Sequence, residues 1–144
     1  MSLLGASASN PQAQLQYFVG TWTCGGSTWT WSQLAPGSAW ILNVYGDPKH
    51  PDGNAVVGYV ASLHAFVYRD FHADGSYADL TTKGYVNGRW TFTGPYYPKG
   101  AAKPLAAHVV YTVVNREQYD RAFLADKAGK LTPMSDDHCV RVER

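Results

Sequence analysis

Trp22-Thr23-Cys24 and Cys139-Val140-Arg141, two short segments near opposite ends of the chain, decide the fold. If the segments pair antiparallel with the two cysteines opposite each other, the tryptophan falls opposite the arginine, because both pairs have the same sum of residue numbers. All four side chains then lie on one face, since residues two apart on a strand point the same way. A first strand paired with a last strand closes the sheet, so the sequence predicts a barrel.

Whether the two cysteines form a disulfide indicates the cellular compartment of the protein. A Cys24–Cys139 disulfide would close a loop of over a hundred residues, for which chain entropy predicts roughly 4–5 kcal/mol of stabilisation. The alternative is a pair of buried free thiols. A disulfide favours a periplasmic or secreted protein, and free thiols favour the cytoplasm. Residues 1–10 lack the basic and apolar regions of a signal peptide, and residues 1–9 are expected to be flexible.

The composition favours strands and turns over helices. The 144 residues include 14 Gly, 8 Pro, 5 Trp, 10 Tyr and 5 Phe, and a chain of this length is expected to form a single domain over 1–144. The 12 basic and 11 acidic residues nearly cancel and form no run, so nucleic acid is not an expected partner. We also expect no membrane span, and either a monomer or a homodimer.

One short helix and ten strands can be recognised from the sequence. Asn10 is a candidate N-cap, Pro11 suits the first helical turn, and Gly20 ends a helix predicted over 12–19. The predicted strands are 21–25, 27–32, 38–45, 54–60, 65–72, 76–85, 89–94, 107–114, 118–126 and 131–142. Long loops are expected at 46–53 and 95–104. The predicted fold class is therefore all-β, a closed antiparallel up-and-down barrel of about ten strands with one short N-terminal helix.

The turns decide whether the barrel can close. First and last strands of an up-and-down barrel pair antiparallel only when the strand number is even. Gly25-Gly26 must then be a two-residue reversal, whereas a bulge there would leave nine strands. Asp74-Gly75 and Asn87-Gly88 are typical of type I′ hairpins, and Ala128-Gly129 is a weaker case of the same turn.

Several segments resemble a known family. Gly20-Thr21-Trp22 after a short helix, with a late arginine to pack on the tryptophan, is similar to the signature of calycins. The segments 58–59, 66–71, 74–77, 84–88 and 90–94 look like those of small bacterial lipocalin-like domains of unknown function, over most of 14–141. The resemblance implies a barrel with a cavity and no settled reaction. Nitrobindins and fatty-acid-binding proteins are more distant likenesses.

Two hairpins indicate which side chains share the interior. If Asn87-Gly88 and Asp74-Gly75 are two-residue turns, Tyr85 lies opposite Trp90 and His72 opposite Tyr77. The predicted interior face then collects large aromatics and a few polar groups, the mixture typical of a ligand cavity. Its members are Phe66, Tyr68, Asp70, His72, Tyr77, Asp79, Thr81, Lys83, Tyr85, Trp90 and Phe92.

The same pairing places Asp70 opposite Asp79. Two carboxylates in a partly dry barrel repel, so they would have to share a proton. Alternatively, the turn at Asp74-Gly75 has three residues and the faces shift. The weak catalytic candidates are Asp70, His72 and Asp79.

Candidate ligand-binding residues follow from this face and its neighbours. The predicted walls are Trp40, Tyr59, Phe66, Tyr68, Trp90 and Phe92, and the orienting groups are Asp70, His72 and Tyr77. Trp22 and Arg141 are interpreted as a structural cation–π pair at the seam. The histidines have no HxH or HxxxH spacing, so no metal or other cofactor is expected, and heme has no supporting motif. An isolated His108 is interpreted as a core or surface residue.

Three functions remain open. The leading hypothesis is non-catalytic binding of a small hydrophobic or aromatic molecule in the barrel cavity. The second is an isomerase, cyclase or dehydratase that uses an interior Asp or His as acid or base. The third is a structural or partner-binding module with a filled barrel and a contact surface at Tyr96-Tyr97.

Overall fold

A computed structural model describes residues 10–47 and 49–143 of the chain. The expectation of flexibility at residues 1–9 lies outside the described residues. Among those described, no helical segment has the length and apolar character that crossing a bilayer requires.

The described chain forms one short helix at its start and then a single antiparallel sheet. A 3-10 helix at Pro11–Phe18 precedes the strands, and a three-residue turn of the same type lies at Ala61–Leu63. The strands are β1 (Gly20–Cys24), β2 (Ser27–Gln33), β3 (Trp40–Asp47), β4 (His50–Val60), β5 (Ala65–His72), β6 (Tyr77–Thr82), β7 (Tyr85–Val86), β8 (Arg89–Tyr97), β9 (Leu105–Asn115), β10 (Gln118–Lys127) and β11 (Lys130–Glu143). Consecutive strands pair, except that β6 pairs with β8 past the two-residue β7.

The barrel is closed by pairing of β1 with β11. The observed register places Cys24 opposite Cys139 and Trp22 opposite Arg141, as the sequence predicts. The two cysteines form a disulfide. The Arg141 guanidinium lies 4.1 Å from the centre of the Trp22 ring. The prediction of a closed, all-β antiparallel barrel is therefore confirmed.

A second closure joins β6 to β8 and depends on a glycine. The register pairs Tyr77 with Tyr97, Ala78 with Tyr96 and Thr81 with Thr93. A Cβ at Gly94 would lie 2.3 Å from the Asp79 carbonyl oxygen, and the φ of Gly94 is 156°. Only a residue without a side chain allows the two strands to approach so closely.

Three predicted two-residue turns are confirmed. Gly25-Gly26, Asn87-Gly88 and Ala128-Gly129 all have positive φ at both positions, as type I′ hairpins require. The turn at Gly25-Gly26 supplies the reversal between β1 and β2, so the alternative of a bulge there is wrong.

The turn at Asp74-Gly75 has three residues, and this shifts the faces. Ser76 donates its backbone N–H to Asp74 Oδ1 at 2.9 Å and its hydroxyl to the same oxygen at 2.7 Å. His72 N–H donates to the Ser76 carbonyl, so Ala73 is also part of the turn. Phe71, and not His72, then pairs with Tyr77. A register changed by one residue moves the side chains of β6 to the opposite face.

Two predicted loops are shorter than expected. β3 and β4 run through most of 46–53, because a bulge between Tyr45 and Gly46 accommodates Pro51 within the ladder. β8 continues to Tyr97, so the loop expected at 95–104 begins only after it. The strand predicted over 76–85 is interrupted by Gly84, which separates β6 from β7.

Aromatic side chains and the helix close one end of the barrel, which we call the plug end. Phe18 at the end of the helix packs on Trp31 at 5.0 Å, Tyr111 at 5.3 Å and Tyr119 at 5.4 Å between ring centres. The helix is 3-10 rather than α-helical, and Asn10 makes no side-chain cap. Leu15 and Phe18 are buried in the core, and Val19 lies partly buried against it.

Removal of the disulfide is expected to destabilise the barrel. In the double variant Cys24→Ala/Cys139→Ala, the unfolded chain loses a cross-link between residues separated by 115 positions. We expect the free energy of unfolding to fall by about 4 kcal/mol. Urea denaturation followed by tryptophan fluorescence measures the change. Dithiothreitol is the control and should leave the double variant unaffected; equal stability of variant and wild type would contradict the expectation.

Candidate functional site

The end of the barrel opposite the plug end carries a pocket that we call the mouth pocket. Its volume is about 350 Å³. The apolar lining residues are Trp29, Tyr45, Tyr96, Phe123 and Met134, and the polar ones are Asp52, His72, Arg121, Ser135 and Asp137. On β2, Trp29 lies at the mouth, and Trp31 lies two residues closer to the plug end. The inner face of this strand therefore contributes a tryptophan to each end of the barrel.

The distribution of side-chain size along the barrel explains why the opening is at this end. The largest fully buried side chains toward the plug end are aromatic, including Trp22, Trp90, Tyr111 and Tyr119. Toward the mouth, inward-facing positions carry small residues, namely Ala55, Ala78, Ala107 and Ala125, all at most 1% exposed. Alanines occupy less of a barrel interior than aromatics do, so these positions contribute little side-chain volume to this half.

Arg121 forms the floor of the mouth pocket. Its guanidinium donates from Nη1 to Ser135 Oγ at 3.3 Å and to Asp137 Oδ2 at 3.5 Å. Nη2 lies 3.8 Å from Asp70 Oδ2. The guanidinium carbon is 5.6 Å from the centre of the Trp29 ring. Arg121 is only 6% exposed, so its charge is held by carboxylates and an aromatic face in place of water.

Asp70 is the buried anion beneath the mouth pocket. It is 1% exposed and accepts a hydrogen bond of 2.6 Å from the Tyr45 hydroxyl. Its other oxygen lies 3.4 Å from His72 Nε2. Burial, together with the charge of Asp70, raises the pKa of the Tyr45 phenol far above its ordinary value. Tyr45 therefore remains a hydrogen-bond donor to the carboxylate.

Four polar side chains near the core have atoms without a hydrogen-bond partner among the described residues. These atoms are both ends of the Asn43 amide, Arg121 Nε, His72 Nε2 and Trp90 Nε1. Arg121 and His72 line the mouth pocket. Buried polar atoms normally have partners, so these atoms mark the places where the interior can still form hydrogen bonds.

Most of the predicted interior residues lie in the interior. Phe66, Tyr68, Trp90 and Phe92 are buried in the aromatic packing, and the Tyr68 hydroxyl is 2.9 Å from that of Tyr111. His72 reaches the mouth pocket with Asp70 beneath it.

Tyr59 lies at the plug end. It is partly buried and packs on Phe66 at 5.1 Å between ring centres.

Five of the predicted residues lie on the outer face, which corrects their assignment to the interior: Thr81 and Lys83 are exposed, and the other three make outer contacts. Trp40 lines an outer groove with Leu34, Val56, Arg69 and Phe71, because its neighbour Ile41 takes the inward position on β3. Tyr77 stacks on Tyr97 outside the barrel. Asp79 forms an ion pair with Arg69 at 3.5 Å and pairs with it across the strands. The prediction that Asp70 and Asp79 share a proton is therefore wrong.

Several residues of the mouth pocket are missing from the sequence-based prediction. Arg121 lies between Tyr119 and Phe123 in the inward alternation of β10, and this pattern is visible in the sequence. An arginine in such a strand is ordinarily assigned to the surface, so the signal is easily overlooked. Asn43 follows the same inward alternation on β3, and an asparagine in a strand is likewise ordinarily assigned to the surface. His108 lies between the buried Ala107 and Val109, so it points outward.

No protein-family model matches this chain, and no curated protein matches it in sequence. Within the described residues, no three His, Cys, Asp or Glu side chains come together in a way that could hold a metal ion.

The buried tyrosines are expected to make the barrel sensitive to alkaline pH. Burial raises the pKa of Tyr45, Tyr68, Tyr111 and Tyr119, so the folded state keeps phenol protons that the unfolded chain releases. Their contribution to stability is complete below about pH 10 and is lost as the pH rises further. Each such tyrosine should lower the free energy of unfolding by about 1.4 kcal/mol per pH unit.

Urea denaturation between pH 9 and pH 11.5 measures how the free energy of unfolding changes with pH. Phenolate absorbance reports the ionisation of the tyrosines. Tyr68→Phe should give a shallower slope than wild type, because it removes one phenol that ionises only on unfolding. Identical slopes, or phenolate absorbance from Tyr68 before unfolding, would contradict the expectation.

Proposed function

We propose that the barrel binds a small, neutral, flat molecule at the mouth pocket without transforming it. The observation that carries the proposal is a buried arginine on the floor of an aromatic pocket, with one N–H that no described residue accepts. Pockets for small molecules combine apolar walls with a few placed polar groups. A volume of about 350 Å³ suits a ligand of one or two fused rings.

The charges around the mouth pocket favour a neutral ligand over an anionic one. Asp52 and Asp137 line the pocket and Asp70 lies beneath it, so the pocket region holds three carboxylates and the single guanidinium of Arg121. An anionic ligand would be repelled by these carboxylates. A carbonyl or hydroxyl oxygen on a neutral ring can instead accept from Arg121 Nε.

The fold and the disulfide support two coarser parts of the proposal. A closed antiparallel barrel with a Gly-x-Trp strand and a late arginine is compatible with the resemblance to lipocalin-like domains and supports the proposal that the chain is one of them. The Cys24–Cys139 disulfide supports a periplasmic or secreted location, because disulfides persist in oxidising compartments.

Binding can be tested with 2-tetralone, a flat neutral ketone. Isothermal titration calorimetry should give one site per chain, with an affinity between micromolar and millimolar as expected for a fragment. Phe123→Ala removes an aromatic wall and should weaken binding at least tenfold. Phe71→Ala on the outer groove is the matched control and should bind like wild type. Equal effects of the two substitutions, or no binding by wild type, would refute the proposal.

A second candidate function, proton transfer, is favoured by the contact between His72 and Asp70. His72 lines the mouth pocket, and the Asp70 carboxylate 3.4 Å from its Nε2 would stabilise the imidazolium formed when the ring takes up a proton. Arg121 would hold the oxygen that becomes negative when a carbon next to a carbonyl loses its proton. The enzyme alternative therefore depends on His72 and Asp70 and not on Asp79.

Deuterium exchange separates binding from proton transfer. In D₂O, His72 would remove a proton from carbon 1 of bound 2-tetralone and return a deuteron to the same carbon. If the site is catalytic, NMR should show exchange at least tenfold faster than in buffer, and His72→Asn should abolish the acceleration. Binding without acceleration would leave the non-catalytic function and exclude this one for such ketones.

The third alternative, a contact surface at Tyr96-Tyr97, has weaker support. Tyr96 packs on Phe123 at 5.0 Å between ring centres and lines the mouth pocket, whereas Tyr97 is 45% exposed on the outer face. The two tyrosines point to opposite sides of the wall and do not form one joint surface.

A further inference from the structure

Met134 occupies an irregular position in the wall of the mouth pocket. Both Met134 and its neighbour Ser135 line this pocket. Consecutive residues of a regular strand point to opposite faces, so a strand normally contributes only every second side chain to one wall. In a regular strand Met134 would share the outer face with Asp136, which is exposed. A local change in the strand is therefore needed to bring both side chains to the pocket.

A β-bulge supplies this change. In the pairing of β10 with β11, Phe123 lies opposite Ser135 and Leu124 lies opposite Pro133, so the register skips Met134. Bulges are common at the rims of barrels, where they re-aim the side chain of the extra residue. Pro133 has no amide hydrogen to donate to a ladder, and prolines within sheets are found at bulges and edges. The bulge thus turns a thioether toward the pocket.

The side chain of Met134 is also accessible to solvent. Met134 is 41% exposed, whereas the aromatic lining residues Trp29, Tyr45 and Phe123 are at most 8% exposed. The pairing of β1 with β11 begins at Cys139, so Met134 belongs to the part of β11 that extends beyond the seam. A dissolved reagent can therefore reach this side chain, while the bulge keeps it in the lining of the pocket.

Oxidation of the thioether would change the chemistry of this wall. A peroxide transfers one oxygen atom to the sulfur, so that an S–O bond forms and the O–O bond breaks. The sulfur is oxidised to a sulfoxide, and hydrogen peroxide is reduced to water. The sulfoxide is polar, and a flat apolar ligand that covers it removes water from its oxygen. Ligand binding then becomes less favourable.

We propose that Met134 is a modification site at which peroxides weaken ligand binding by the mouth pocket. The inference rests on the proposed function and adds its regulation. The reduced thioether is flexible and apolar and extends the aromatic wall, whereas the sulfoxide makes the same part of the wall polar. The Cys24–Cys139 disulfide is consistent with a compartment in which such oxidants are encountered. Methionine sulfoxide reductase reverses the modification and restores the affinity.

Treatment of the folded protein with hydrogen peroxide tests this inference. Peptide mass spectrometry should locate one added oxygen atom on Met134. Calorimetry with 2-tetralone should then give an affinity at least about tenfold weaker than before treatment, because a polar group has entered an apolar wall. Incubation with methionine sulfoxide reductase should restore the original affinity. Met134→Leu is the matched control: it retains an apolar side chain without sulfur, and peroxide should leave its affinity at the untreated value.

A second variant, Met134→Gln, introduces a polar side chain without any oxidant. It should bind 2-tetralone at least about tenfold more weakly than Met134→Leu. Both variants should keep the Tm of wild type, because the position is exposed, and this readout separates an effect on the pocket from an effect on the fold.

The outcomes separate this inference from the proposed function. If oxidation of Met134 leaves the affinity within twofold, or if Met134→Gln and Met134→Leu bind equally well, the inference is overturned and the proposed function stands. A Met134 that resists peroxide, or an equal loss of affinity in treated Met134→Leu, has the same meaning. If untreated wild type does not bind 2-tetralone, the proposed function fails and this inference with it.

Discussion

The stacking of Arg141 on Trp22 is the contact on which the closed barrel depends. The guanidinium also donates to the backbone carbonyls of Tyr17 at 2.6 Å and Val19 at 2.9 Å. It thereby ties the end of the helix, the first strand and the last strand together. With 3% of its side chain exposed, this arginine needs all these acceptors, because a buried charge without partners is strongly unfavourable. The disulfide two residues away fixes the same register covalently.

The closure divides the interior into two chemically different halves. At the plug end, the Trp22 indole N–H donates to the Phe18 carbonyl, and Trp31 Nε1 donates to the Tyr119 hydroxyl. Polar groups of the aromatic core are thus hydrogen-bonded to other groups of the same core. Toward the mouth, Arg121 and His72 make longer contacts to Asp70, and each has one nitrogen without a hydrogen-bond partner among the described residues. The polar groups at the plug end are therefore largely paired within the protein, and the proposed binding site lies in the other half.

The seam and the hairpins could be predicted from the sequence because they follow from spacing and turn chemistry alone. Cys24 and Cys139, and the turns at Gly25-Gly26 and Asn87-Gly88, need no knowledge of distant contacts. The face of β6 could not be predicted in the same way. There, the Asp74 carboxylate accepts two hydrogen bonds from Ser76, and the turn has one residue more than expected. The longer turn moves Tyr77 to the outer face. The interior position of Arg121 could not be predicted from the sequence, because burial of its charge depends on Asp70, which lies on a distant strand.

The two closures of the barrel differ in their resistance to separation, and this follows from Gly94 and Pro95. Pro95 has no amide hydrogen, and between the pairs Ala78–Tyr96 and Thr81–Thr93 the ladder between β6 and β8 is interrupted. The opposite closure carries a covalent bond. The β1–β11 closure is therefore joined covalently, whereas the β6–β8 closure is held only by backbone hydrogen bonds and side-chain packing.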